Sequence, residues 1–255
     1  MHNPILLLYP TVNVVVTALF AGVVLRQYMR RHRIYQLYWA IALSMAFLAT
    51  LAYVLMIAMQ PTSVVGVLFF RIYYIFGAAL MPAWLGLGSI ALVTSARVTR
   101  VCLVILCILS VLAAVLISIS NVDIHKLSQV VGTSGAGILQ NGAWLPTIIT
   151  LNSLGALAVA GVAIYSGWKL LRRQSNVAGF RTNNLLWVNV LILLGVALIS
   201  LAGSRARFFG AEGGFWLVMA LGWVVFFIGV LLSSRRSVTQ TSVVQDHTQR
   251  EFASS

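Results

Sequence analysis

The chain has 255 residues, 60% of them hydrophobic and only 8% charged, with 17 basic residues against four acidic ones and a net charge of +13. Ordinary soluble domains carry about 25% charged residues, so this composition excludes a water-soluble globular protein and makes lipid the solvent for most of the chain. The basic residues sit in short segments between apolar runs, which reads as membrane topology and contact with anionic lipid headgroups, not as nucleic-acid binding.

Seven apolar runs have the length of a membrane-spanning helix. The first, Ile5–Leu25, lacks a basic leader, and its basic cluster "RQYMRRHR" follows the apolar run. That order predicts an uncleaved helix that exports a short N-terminus. It carries Asn13 about 12 Å below its N-terminal end at 1.5 Å per residue. The second run, Tyr38–Met59, carries Tyr53. The third, Ile72–Val93, extends upward towards Val64, begins beside Arg71, and holds Tyr74, Pro82 and glycines at 77, 86 and 88. Pro82 is expected to kink it. The fourth, Val101–Ser120, contains both cysteines, Cys102 and Cys107. They lie about 140° apart around the helix axis, so they cannot join in a disulfide or clip a metal together.

A long connection then runs from Asn121 and contains "GTSGAG". Its length is enough to cover an opening. The fifth run, Leu145–Trp168, carries Asn152 about 10 Å below its start. The sixth, Leu185–Leu201, is the shortest, and the loop "GSRARFFGAEGG" separates it from the seventh, Phe215–Leu232. Residues 1–236 thus form one transmembrane domain. Ser237–Ser255, rich in Ser, Thr and Gln, reads as a disordered cytoplasmic tail.

Orientation follows from the arginines. The first, third and fifth connections and the start of the tail are basic, whereas the alternate side carries only Arg71, Lys126, Arg205 and Arg207. The positive-inside rule therefore predicts an exterior N-terminus and a cytoplasmic C-terminus, in a multi-pass protein of the cell membrane. Tryptophans 144 and 216 are expected in the outer interfacial belt, 39, 168 and 187 in the inner one, and 84 and 223 at mid-depth in the interior.

Arg71 sets the question of the outer half. An arginine deep in hydrocarbon costs at least ~2.5–3.5 kcal/mol. Of the four acids, Asp246 and Glu251 are in the tail, whereas Asp123 and Glu212 share the side of Arg71. Arg71 therefore snorkels to the interface, pairs with Asp123 or Glu212, or meets an anion. Arg205 and Arg207, beside the N-terminus of the seventh helix, raise the same anion option. Asn13, Tyr53, Tyr73, Tyr74 and Asn152, joined by Ser153 and Ser200, either line an outward cavity with these arginines or bond between helices.

Intramembrane chemistry finds little support. No Asp, Glu or His falls within a span, and the histidines are His2, His32, His125 and His247. Proton pumps, intramembrane hydrolases and haem sites need such groups at depth. The seventh helix has no lysine to carry retinal, so rhodopsin chemistry is excluded. No cofactor, metal site or catalytic residue is expected.

The stretch "FRIYYIFGAALMPAWLGLGSIALV", with a seventh helix ending "FFIGVLLSSRR", resembles uncharacterised seven-helix bacterial membrane proteins. The resemblance implies the fold and transfers no function. The expectation is an all-α, non-enzymatic, sensor- or receptor-like protein with an outward pocket and a separate protein partner. The alternatives are a passive small-molecule facilitator with a 3+1+3 helix arrangement, or a structural subunit of a membrane complex. A reporter enzyme fused to the carboxyl end should be active in the cytoplasm; activity on the exterior would overturn the orientation.

Overall fold

The computed structural model describes residues 4–174, 180–210 and 214–232. Among them the regular structure is helical: α1 Pro4–Arg31, α2 Ile34–Ala58, α3 Val64–Val93, α4 Ala96–Ile119, the short α5 Ile124–Ser128, α6 Trp144–Gln174, α7 Phe180–Phe208 and α8 Phe215–Leu232. All but α5 are long and apolar enough to cross a bilayer, giving an all-α, seven-helix, multi-pass membrane protein. The expected tail, Ser237–Ser255, lies outside the described residues.

Several helices overshoot their apolar runs. α1 continues through Arg26, Arg30 and Arg31, and α6 continues past Trp168 to Gln174. Arginine and lysine are good helix formers whose long stems reach back along apolar surface. The end of an apolar run therefore marks the edge of the hydrocarbon and not the end of the helix. Seven crossings gather Arg71, Lys126, Arg205 and Arg207 at one end, called here the arginine-poor end, and the basic clusters at the other.

α3 departs from the simple kink expected at Pro82. It is α-helical over Val64–Tyr73, π-helical over Tyr74–Leu80 and α-helical again over Met81–Val93. Pro82 has no N–H to offer the carbonyl four residues back. The chain meets this by widening the turns before the proline. The wider turn also brings two consecutive residues, Tyr73 and Tyr74, into the interior together.

Helix contacts run in sequence from α1 to α2, α2 to α3, α3 to α6 and α6 to α7. α8 closes the bundle, with Phe226 against Gly195 of α7 and Trp223 against Phe20 of α1. The tightest crossing joins α3 and α6. A Cβ added at Gly155 would overlap the carbonyl of Pro82, and one added at Gly86 would lie 2.8 Å from the Cα of Gly155. Small residues let membrane helices approach this closely, and van der Waals contact then replaces the hydrophobic drive absent in lipid. α4 stands at the rim and leaves Val104, Ile108, Val111 and Val115 exposed, the surface expected to face lipid.

Two of the interfacial tryptophans expected at the outer belt are instead interior. Trp144 and Trp216 are buried, as is Trp223, while Trp168 and Trp187 are exposed. Gly155→Leu should lower the midpoint of thermal unfolding in detergent, because overpacking costs about 1–3 kcal/mol. Gly161→Leu, on the same helix with open space around it, should leave the midpoint within error.

Candidate binding site at the arginine-poor end

The site is built by the connection between α4 and α6, which folds back into the helix bundle. Its two strands of chain meet in an isolated antiparallel bridge between Val122 and Leu139. Backbone bonds from the Asp123 N–H to the Ile138 carbonyl (2.9 Å) and from the Gln140 N–H to the Asn121 carbonyl (3.1 Å) reinforce that pairing. Asp123 caps α5, its Oδ1 accepting from the Lys126 N–H at 3.1 Å. Leu127, Val130, Ile138 and Leu139 are all buried and share one apolar cluster with Tyr53, Phe70, Tyr73 and Trp216.

Between these anchors the segment Gly132–Gly137 carries almost no side-chain bulk. Gly132, Gly135 and Gly137 have φ of 82°, 72° and 87°, a region open to glycine and strained for other residues. Helix-borne aromatic side chains meet its Thr133 and Ser134 carbonyls, while the Ile138 N–H and Lys126 Nζ meet those of Gly135 and Gly137. The Tyr53 hydroxyl lies 2.8 Å from the Val130 carbonyl and 2.9 Å from the Thr133 carbonyl, so one proton serves two acceptors. The same oxygen accepts from the Gly132 N–H at 3.1 Å. The Trp216 indole N–H donates to the Thr133 carbonyl at 2.9 Å, and the Tyr73 hydroxyl donates to the Ser134 carbonyl at 2.8 Å.

The walls are aromatic. The rings of Tyr53 and Trp216 have centroids 4.4 Å apart, and those of Tyr53 and Tyr73 are 5.2 Å apart. Tyr74 meets Trp144 edge-on at 5.7 Å. Arg207 closes this side: its guanidinium stacks 4.8 Å from the Trp144 ring centroid and donates to the Tyr74 hydroxyl at 3.3 Å. A cation over an indole face is stabilised by about 0.5–2 kcal/mol, which is how an arginine rests here beside apolar walls.

The expected residues divide. Tyr53, Tyr74 and Arg207 come together at this mouth. Asn13 is fully buried below it, its Nδ2 donating to the Trp216 carbonyl at 3.0 Å and to the Tyr9 carbonyl at 2.9 Å, while its Oδ1 has no partner. Thr17 and Thr50, 3.3 Å apart, extend that polar cluster inward. Asn152 stands apart on α6, half-buried, with its Oδ1 unpaired. Arg205 is exposed.

The Arg71–Asp123 ion pair does not form. Arg71 donates to the Ser120 carbonyl at 3.2 Å, and the Asp123 carboxylate lies 3.8 Å from Lys126. The carbonyls at the end of α4 have no intrahelical donor and attract a cation, while Asp123 is turned towards the start of α5. Glu212, the other expected partner, lies outside the described residues.

Tyr73, expected with Tyr53 and Tyr74 along an outward cavity, carries one loop bond; the residues missed in the sequence are Trp216, expected at the interface but carrying another, and Gln36. Gln36 is buried at the arginine-rich end of α2, with Oε1 unpaired, one turn from the equally unpaired Trp39 indole N–H. Apolar context on both sides hid it. Among the described residues no three His, Cys, Asp or Glu side chains gather where one metal ion would reach them.

Tyr53→Phe removes the donor shared by two buried carbonyls and should lower stability by about 1–3 kcal/mol, read as a drop in the thermal midpoint. Tyr165→Phe, at an exposed position, should not. Compared with protein-family models, curated proteins and solved structures, this chain matches none, so no residue takes its role from a relative.

Proposed function

We propose that the protein is a non-enzymatic sensor of the cell membrane, with its arginine-poor end outside and a separate protein receiving the signal at the cytoplasmic end. The observation that carries this reading is an aromatic seal beneath the mouth. Phe20 of α1 packs on Trp223, Phe226 and Phe227 of α8, with centroids 6.2, 5.3 and 4.9 Å away. Leu43 and Met81 pack into the same cluster. This layer separates the polar groups around Asn13 from the arginine-rich end. A solute entering the mouth meets closely packed rings and, among the described residues, no continuous polar lining, which favours reading a ligand over passing it through.

The facilitator reading, with its 3+1+3 arrangement, draws on one observation of its own. Gln36 and Ser89 are buried polar residues towards the arginine-rich end, so polar groups exist on both sides of the seal. The two readings separate in proteoliposomes. Under the sensor reading, panels of small neutral and anionic solutes equilibrate no faster than in protein-free vesicles, and Phe20→Ala combined with Trp223→Ala raises leakage by thinning the seal. Solute-specific, saturable uptake by the unaltered protein would replace the sensor with the facilitator.

A further inference from the structure

The bonds that hold the loop in the mouth are made to its backbone. Tyr53, Tyr73 and Trp216 donate to the carbonyls of Val130, Thr133 and Ser134. None of them reads a side chain of the segment Gly132–Gly137. The segment's own bulk is slight, and its apolar anchors, Leu127, Val130, Ile138 and Leu139, lie outside it in sequence. The mouth is therefore a set of phenol and indole donors on aromatic walls, filled by a short peptide backbone with small side chains. Any chain of amide carbonyls at the same spacing satisfies those donors equally well. Once the native segment lifts, Tyr53 keeps the Val130 carbonyl, while Tyr73 and Trp216 lose their acceptors and must find others.

We propose that the mouth is a binding site for an amide-bearing ligand, a short peptide of small residues, that takes the place of the segment Gly132–Gly137. The proposal rests on the reading of this end as the ligand-facing side. The loop is then a built-in competitor: it keeps the donors bonded in the absence of ligand and sets the ligand concentration needed to displace it. The positive-φ glycines at 132, 135 and 137 supply the backbone freedom for the segment to leave while its flanking anchors stay packed.

The test uses the full-length protein in detergent with Cys102→Ala and Cys107→Ala, so that Ser134→Cys is the sole thiol. Ser134 lies within the segment and is buried, so its modification by a water-soluble maleimide reports the lifted segment. Tyr53→Phe should raise that rate about fivefold or more, the factor for one lost hydrogen bond. The blocked hexapeptide acetyl-Gly-Thr-Ser-Gly-Ala-Gly-amide should raise it saturably. Tyr73 bonds the loop and the displacing peptide alike, so Tyr73→Phe should raise the basal labelling rate about fivefold and leave the half-saturating peptide concentration unchanged. Hexanoate, of similar reach but without amides, should do nothing. If Tyr53→Phe accelerates labelling but the peptide does not, or if hexanoate matches it, the ligand class proposed here is wrong while the outward mouth stands. A half-saturating concentration that falls about fivefold in Tyr73→Phe means that the peptide does not use this donor, which places binding elsewhere and overturns the site. Labelling that stays slow under both Tyr53→Phe and peptide means that the loop is a fixed part of the fold, and the outward-pocket reading falls with the proposal.

Discussion

A backbone amide inside a bilayer has no water to turn to, and every structural feature of this chain answers that constraint. The seven long helices answer it internally. Pro82 withdraws one donor, and α3 answers by widening its turns over Tyr74–Leu80. The segment Gly132–Gly137 of the loop between α4 and α6 is the hardest case, since it packs against the bundle outside any helix. Its carbonyls are satisfied by side chains that the helices hold out to them, Tyr53 from α2, Tyr73 from α3 and Trp216 from α8. Two consecutive helices, α2 and α3, and the distant α8 are thereby tied to one segment.

The same economy governs charge and packing. Arg71 is matched to the free carbonyl at the end of a helix and Arg207 to an indole face and a phenol. Neither depends on a carboxylate among the described residues. Close approach is confined to a few glycine contacts, of which Gly155 on the Pro82 carbonyl is the tightest between the backbones of two crossing helices. Elsewhere aromatic rings fill the interior, one cluster under the loop and another across α1 and α8.

Much of this was legible in the sequence, and the exceptions are instructive. Composition and run length fix seven crossings, because nothing else in the chain can satisfy its backbone in lipid. Asn13, Tyr53, Tyr74 and Arg207 were found as polar residues at similar depth. Depth, however, says nothing about facing. Trp144 and Trp216 stand at the level of an interfacial belt yet point inward, since the loop gives the Trp216 indole an acceptor inside and Gln140 gives the Trp144 indole another. Arg71 and Asp123 share an end of the bundle but not a direction. The connection holding "GTSGAG" reads as long enough to cover an opening, but its bonding partners were invisible because its contacts are made by carbonyls, which every residue possesses. The alternation of wide and normal turns in α3 likewise leaves no mark in composition beyond the proline that causes it.

α4 is the most apolar of the seven crossing helices and among the least enclosed by its neighbours. Its last turn leads directly into the loop through Ser120, the residue whose carbonyl Arg71 holds. Hydrocarbon, more than protein, thus surrounds the strut from which the loop hangs. Changes in bilayer thickness that tilt a loosely packed helix act on this strut first, and its C-terminal end is where the mouth is attached. The lipid composition of the host membrane is therefore a mechanical boundary condition on the loop's seat.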